Sequence, residues 1–102
     1  MSVRVKLFAN FSEAAGKDQE VVEGVFDLAS LLDELAGRFG DEFVKQLYSP
    51  REHRVRETVN VMINGRRVDL RLELKTPLKD GDEVAIFPPV AGGGSQILFL
   101  LD

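Results

Sequence analysis

The sequence predicts an α+β fold, a mixed sheet of four to five strands with one main helix packed across it. Three observations point to it. Apolar residues alternate with polar ones at Val3, Val5 and Leu7, and again at Val59, Val61 and Ile63, which is the period of a half-buried strand. Between these segments the period changes: Leu28, Leu31, Leu32, Leu35, Ala36 and Phe39 form the stripe of an amphipathic helix. Turn residues punctuate the strands, with Asn64-Gly65 and Lys79-Asp80-Gly81-Asp82 as the clearest pair.

The elements follow in chain order. A strand at residues 3–8 leads into a short turn or helical piece at 11–15, stopped by Gly16. The turn Gly16-Lys17-Asp18 then feeds a second strand at Glu20-Val21-Val22-Glu23, so the two strands make a hairpin. Asp27 is placed to cap the main helix, because its carboxylate can accept an orphan backbone N–H. Gly40 suits its stop. Residues 41–48 extend the helical part, with Phe43, Val44 and Leu47 toward the core, and Pro50 ends it. Residues 49–57 read as a charged loop. After Asn64-Gly65, the alternation of Val68, Leu70, Leu72 and Leu74 with Asp69, Arg71, Glu73 and Lys75 predicts a full strand. A last strand covers Glu83-Val84-Ala85-Ile86-Phe87.

Composition narrows the function. The chain of 102 residues allows one domain with one core. A net charge of −4, from 13 Lys plus Arg against 17 Asp plus Glu, argues against a nucleic-acid binder. Arg66, Arg67, Arg71 and Lys75 are interleaved with Asp69 and Glu73 and read as a solvated strand face. The chain has no cysteine, which excludes disulfides, thiolate metal sites and a cysteine nucleophile. Its one histidine, His53, falls in the charged loop and reads as solvated. The opening alternates apolar with charged residues, unlike a signal peptide. The run Ile97-Leu98-Phe99-Leu100-Leu101 is far short of the roughly 20 residues that span a bilayer. The expectations are a cytoplasmic protein, no membrane, no nucleic acid, no metal and no bound cofactor.

Chemistry points to the end of the chain. The last strand runs directly into Pro88-Pro89-Val90-Ala91-Gly92-Gly93-Gly94. Two prolines fix φ and favour an extended course, and the glycines that follow carry no side chain. The result is a thin arm that fits a narrow site on another protein. The glycines open no helix, so they are not a phosphate loop. They read as something acted upon. Alternation also turns Phe8, Met62 and Phe87 away from the helix, where three large apolar groups would form an exposed partner surface.

The stretch Asp80-Gly81-Asp82-Glu83-Val84-Ala85-Ile86-Phe87-Pro88-Pro89-Val90-Ala91-Gly92-Gly93 resembles the C-terminal signature of the molybdopterin synthase small subunit. The wider family contains the thiamine sulfur carriers and the small archaeal modifier proteins, all similar to ubiquitin in fold and in their di-glycine end. Val3-Arg4-Val5-Lys6-Leu7-Phe8-Ala9 and Val59-Asn60-Val61-Met62-Ile63-Asn64-Gly65 add to the resemblance. It implies a β-grasp domain over residues 1–93. It also implies that Gly93, once residues 94–102 are removed, is the acyl carrier, adenylated by an ATP-dependent activating enzyme of the ubiquitin-activating type. The partner surface would comprise Phe8, Met62, Phe87, Pro88, Pro89, Val90, Ala91 and Gly92. The second partner would be the synthase large subunit or the lysines of target proteins. A third reading is a binding module that never activates its tail. The chain departs from the family pattern in continuing past Gly93. Residues 94–102 are expected to be a flexible extension, either removed or foreign to the domain.

Overall fold

The structure, a computed structural model, describes residues 1–51 and 54–89. Its elements are β1 (Ser2–Leu7), α1 (Asn10–Ala15), β2 (Gln19–Glu23), α2 (Leu28–Phe39), α3 (Asp41–Leu47), β3 (Tyr48–Ser49), β4 (Arg54–Val55), β5 (Asn60–Ile63), β6 (Arg66–Val68) and β7 (Glu83–Phe87). Five strands form one sheet in the order β2-β1-β7-β5-β6. β1 and β7 are parallel, with Val5 opposite Val84, and the other pairs are antiparallel. The last strand therefore lies in the middle of the sheet. Its sequence suits that place, because Val84, Ile86 and Phe87 are all buried. Strands in parallel pairs are normally covered on both faces.

Helix α2 crosses one face of the sheet as its stripe requires. Leu28, Leu31, Leu32 and Leu35 are all fully buried, against Val3, Val5, Val22, Val61, Val84 and Ile86 in the same core. Its start is doubly specified. The Asp27 carboxylate accepts from the Ser30 N–H at 2.8 Å, and the Ser30 hydroxyl oxygen accepts from the Asp27 N–H at 3.1 Å. Such reciprocal caps satisfy two donors that the helix itself leaves orphaned. Gly40 turns the chain between α2 and α3 with φ 85°, a value that side chains with a Cβ disfavour. Phe43 of α3 then meets Phe11 of α1 and Phe39 of α2, with ring centroids 5.3 and 5.2 Å apart. Val44 is only half-buried, whereas Phe43 and Leu47 are fully buried.

Two expectations are corrected. The charged loop contains a small two-stranded ribbon, β3 with β4, pairing Tyr48 with Val55. The predicted strand after Asn64-Gly65 stops at Val68. Beyond it Leu70 is buried, but Leu72 is 79% exposed. Local hydrogen bonds win over the ladder here: the Asp69 carboxylate accepts from the Arg71 N–H and the Glu73 carboxylate from the Asp69 N–H, each at 2.9 Å. Short polar side chains offer the backbone this alternative to a sheet. The turns also deliver carbonyls to the start of α2, where Leu28 donates to Thr76 and Ala29 to Leu74.

The Asn64-Gly65 hairpin has φ values of 52° and 82°, as a tight type I′ connection demands. Asn64 also ties this turn to the next one. Its Nδ2 donates to Asp82 Oδ1 at 2.9 Å, while Asp82 Oδ2 accepts from the Lys79 N–H at 2.8 Å. These bonds, that from Asn64 first, hold the Asp82 carboxyl below its ordinary value. A depressed carboxylate stabilises the fold above the unfolded-state pKa and loses that contribution as pH falls through the folded-state pKa. Melting temperature should therefore drop on acidification below about pH 4. Asp82→Asn should flatten that drop, and parallel melting curves for the two proteins across this range would contradict the assignment.

Candidate functional site

The face of the sheet away from α2 is set by strand pleat and register. Arg4 and Lys6 of β1, Glu83, Ala85 and Phe87 of β7, Asn60 and Met62 of β5 and Arg67 of β6 share it, because residues two apart point the same way. Register aligns Lys6, Ala85, Met62 and Arg67 in one row across four strands. Phe8 follows β1 and extends its ladder by one bond, donating its N–H to the Ile86 carbonyl at 3.2 Å. Its ring stacks on that of Phe87, centroids 4.4 Å apart and 12° from parallel.

The three predicted apolar groups are thus on one face, but not equally open. Phe8 is half-buried, whereas Phe87 is 4% and Met62 8% exposed. The expectation that all three are exposed is corrected. The Phe8 ring shields Phe87, and Met62 is flanked across the strands by Ala85 and Arg67. A charged rim surrounds them, with Glu83 3.7 Å from Arg4 and 3.5 Å from Lys6. Such exposed pairs contribute little stability.

Pro88 and Pro89 continue β7 out of the sheet. Pro88 is half-buried and Pro89 exposed. Neither can donate to a ladder, so pairing ends at Phe87 opposite Asn60. Asn60 is the one buried polar residue among those described, at 7% exposure. Its Nδ2 donates to the Pro88 carbonyl at 3.2 Å, and its Oδ1 accepts from Arg67 Nη2 at 2.8 Å. Sequence reasoning missed this residue, because an outward polar position on a strand looks like ordinary solvent contact. Val90, Ala91, Gly92, Gly93 and residues 94–102 lie outside the described residues, as does His53.

Among the described residues, no three His, Asp or Glu side chains approach closely enough to hold a metal ion. The perturbed titrations belong to local pairs away from the arm. Glu20 is lowered by its hydrogen bonds from Lys17 and then Arg38, and Tyr48 is raised by burial and by its hydrogen bond to Asp33. No helix of the described residues is long and apolar enough to cross a membrane.

A mixed sheet of this order, grasping one main helix, with a central last strand that leaves the sheet, defines a ubiquitin-like β-grasp protein. The sequence profile of the ThiS family matches residues 5–93, and the chain belongs to that family. Small archaeal modifier protein 3 of Haloferax volcanii is 34% identical, over 91% of this chain and 100% of that protein. The molybdopterin synthase sulfur carrier subunit of Aspergillus niger is 27% identical, over 88% of this chain and 92% of its own. The crystal structure of SAMP1 from Haloferax volcanii superposes with a TM-score of 0.77 at 30% identity, covering 91% of this chain and 100% of that one.

Proposed function

We propose that this chain is a sulfur carrier, the small subunit of a molybdopterin synthase in molybdenum cofactor biosynthesis, with Gly93 as its acyl carrier once the residues beyond it are removed. The observation that carries the reading is the central strand β7 running straight into Pro88-Pro89 and the glycines, in a chain of the ThiS family. A glycine carboxylate is a poor electrophile. Attack by its oxygen on the α-phosphorus of ATP, within an activating enzyme, releases pyrophosphate and leaves an acyl-adenylate. Hydrosulfide, or a donor delivering sulfur at that oxidation level, then attacks the acyl carbon and displaces AMP, and the thiocarboxylate formed donates its sulfur inside the synthase large subunit. The chain itself binds no cofactor in this scheme and is not the catalyst of its own activation. The bare glycines let that carbonyl be approached closely.

A second reading is favoured by the likeness to small archaeal modifier proteins. There a lysine amine displaces AMP and an isopeptide bond joins Gly93 to a target. Intact-mass analysis of the protein from its native cell separates the two. A chain ending at Gly93 with one oxygen replaced by sulfur supports the carrier. Masses of conjugates with other proteins support the modifier. Neither product would leave the binding-module reading.

The sheet face beside the arm is the proposed docking surface, with Phe8 as its open aromatic. Phe8→Ala should weaken binding to the activating enzyme about 30-fold, the effect of losing a desolvated aromatic anchor of about 2 kcal/mol. Phe8 is the ring to test, because truncating the buried Phe87 would mix docking with folding. Unchanged affinity in a binding titration would remove this face from the interface.

A further inference from the structure

We infer that Asn60, held by Arg67, is a positioning residue that aims the C-terminal arm. The inference rests on the reading that Gly93 is activated. Past Phe87 the ladder has no means to guide the chain. Pro88 and Pro89 have no N–H to give, and the alternation of the ladder offers the Pro88 carbonyl no backbone donor on β5. The Asn64 N–H bonds the Glu83 carbonyl, so every second pair from there, out to Asn60 with Phe87, is a hydrogen-bonded one, and Val59 opposite Pro88 is not; the Val59 N–H goes instead to the Arg56 carbonyl at 3.2 Å. The Asn60 side chain supplies the missing donor, bonding the Pro88 carbonyl at 3.2 Å.

One bond suffices because the prolines have removed most other freedom. Both φ angles are locked by the rings. The soft torsion left between the end of β7 and Pro89 is ψ of Pro88, and it sets where the Pro88 carbonyl points. The Asn60 amide fixes that carbonyl, and with it the direction in which Pro89 leaves the sheet. The amide is in turn held in one orientation. Arg67 is purely a donor, so its bond at 2.8 Å requires the Asn60 oxygen on that side and leaves the nitrogen for Pro88. Burial of Asn60 sharpens the choice, since a flipped amide would oppose two donors on one side and two acceptors on the other.

Aim matters to the chemistry more than to docking. The sheet face supplies affinity, while the reacting carboxylate sits several residues further along an arm of small residues. Small misplacements of a reacting group can cost up to about a hundredfold in rate. Asn60→Asp tests the role. The carboxylate keeps the shape and the bond from Arg67 but cannot donate to Pro88. Using chains ending at Gly93, which lose none of the described residues, ATP–pyrophosphate exchange should show kcat reduced about tenfold with KM within about twofold of the parent. In the full chain, the steady-state ¹⁵N heteronuclear NOE at Val90 and Ala91 should fall relative to the parent.

Arg67→Ala is the second variant, since Arg67 is exposed and its truncation leaves the core untouched. It should move kcat and the NOE in the same direction by a smaller factor, about threefold for kcat. The inference is overturned if folded Asn60→Asp leaves both readouts at parental values. Should Asn60→Asp fail to fold, parental values in Arg67→Ala overturn it instead. A rise in KM at constant kcat also overturns it, because that marks a docking contact. If the parent itself is not adenylated, the carrier reading fails while the NOE comparison still decides whether Asn60 orders the arm.

Discussion

Leu32→Ala is expected to destabilise the protein by about 2–5 kcal/mol, read as a lower denaturation midpoint at unchanged slope. Leu32 is fully buried in the middle of α2, in the core formed with the inner faces of β1, β5 and β7. Its truncation removes apolar contact and leaves a cavity that the surrounding side chains cannot fully close. Total stability of a domain this size is expected to be about 5–15 kcal/mol, so the loss is a large share of it. The slope should hold because the same surface is still exposed on unfolding. An unaltered midpoint would mean that α2 does not pack on this sheet through the Leu28, Leu31, Leu32 and Leu35 face.

The second large effect concerns the continuation past Gly93. The full chain should not be adenylated, and a chain ending at Gly93 should be. Adenylation needs a free carboxylate oxygen, and the peptide bond from Gly93 to Gly94 occupies that carbonyl as an amide. The sequence beyond it, Ile97-Leu98-Phe99-Leu100-Leu101, is apolar and ill matched to a polar nucleotide site. Ala91 to Ser95 are all small residues, a composition that suits proteolytic cleavage. The measurement is ATP–pyrophosphate exchange with a suitable activating enzyme, followed by mass analysis. Equal exchange by the full chain, with its mass unchanged, would refute the expectation that residues 94–102 must be removed before activation. Exchange by neither form would favour the binding module.

Much of the fold could be read before the structure. Helix α2 was legible because stripe, cap and stop agree: Leu28 to Phe39 carries the 3.6-residue period, Asp27 starts it and Gly40 ends it. The Asn64-Gly65 turn was legible because few other pairs adopt two positive φ values in succession. The segment after it misled. Leu70, Leu72 and Leu74 alternate like a strand, yet Asp69 and Glu73 bind nearby backbone groups and Leu72 faces solvent. Alternation cannot report that the start of α2 needs carbonyls from Leu74 and Thr76. The candidate site divides in the same way. The side of the sheet on which Phe8, Met62 and Phe87 lie follows from period 2, but their exposure does not.

By itself the sequence determined local matters: the main helix and the strands of the sheet up to Val68, the tight turns, and that the chain leaves its last strand through two prolines into glycines. Each rests on the preferences of residues near one another along the chain. Only the tertiary structure decided that β7 lies between β1 and β5, that Phe8 stacks on Phe87, and that Asn60 reaches from Arg67 to the Pro88 carbonyl. Those contacts join residues up to 79 positions apart, as for Phe8 and Phe87. They depend on strand order and register, which the packing of the whole sheet against α2 selects and no local pattern contains.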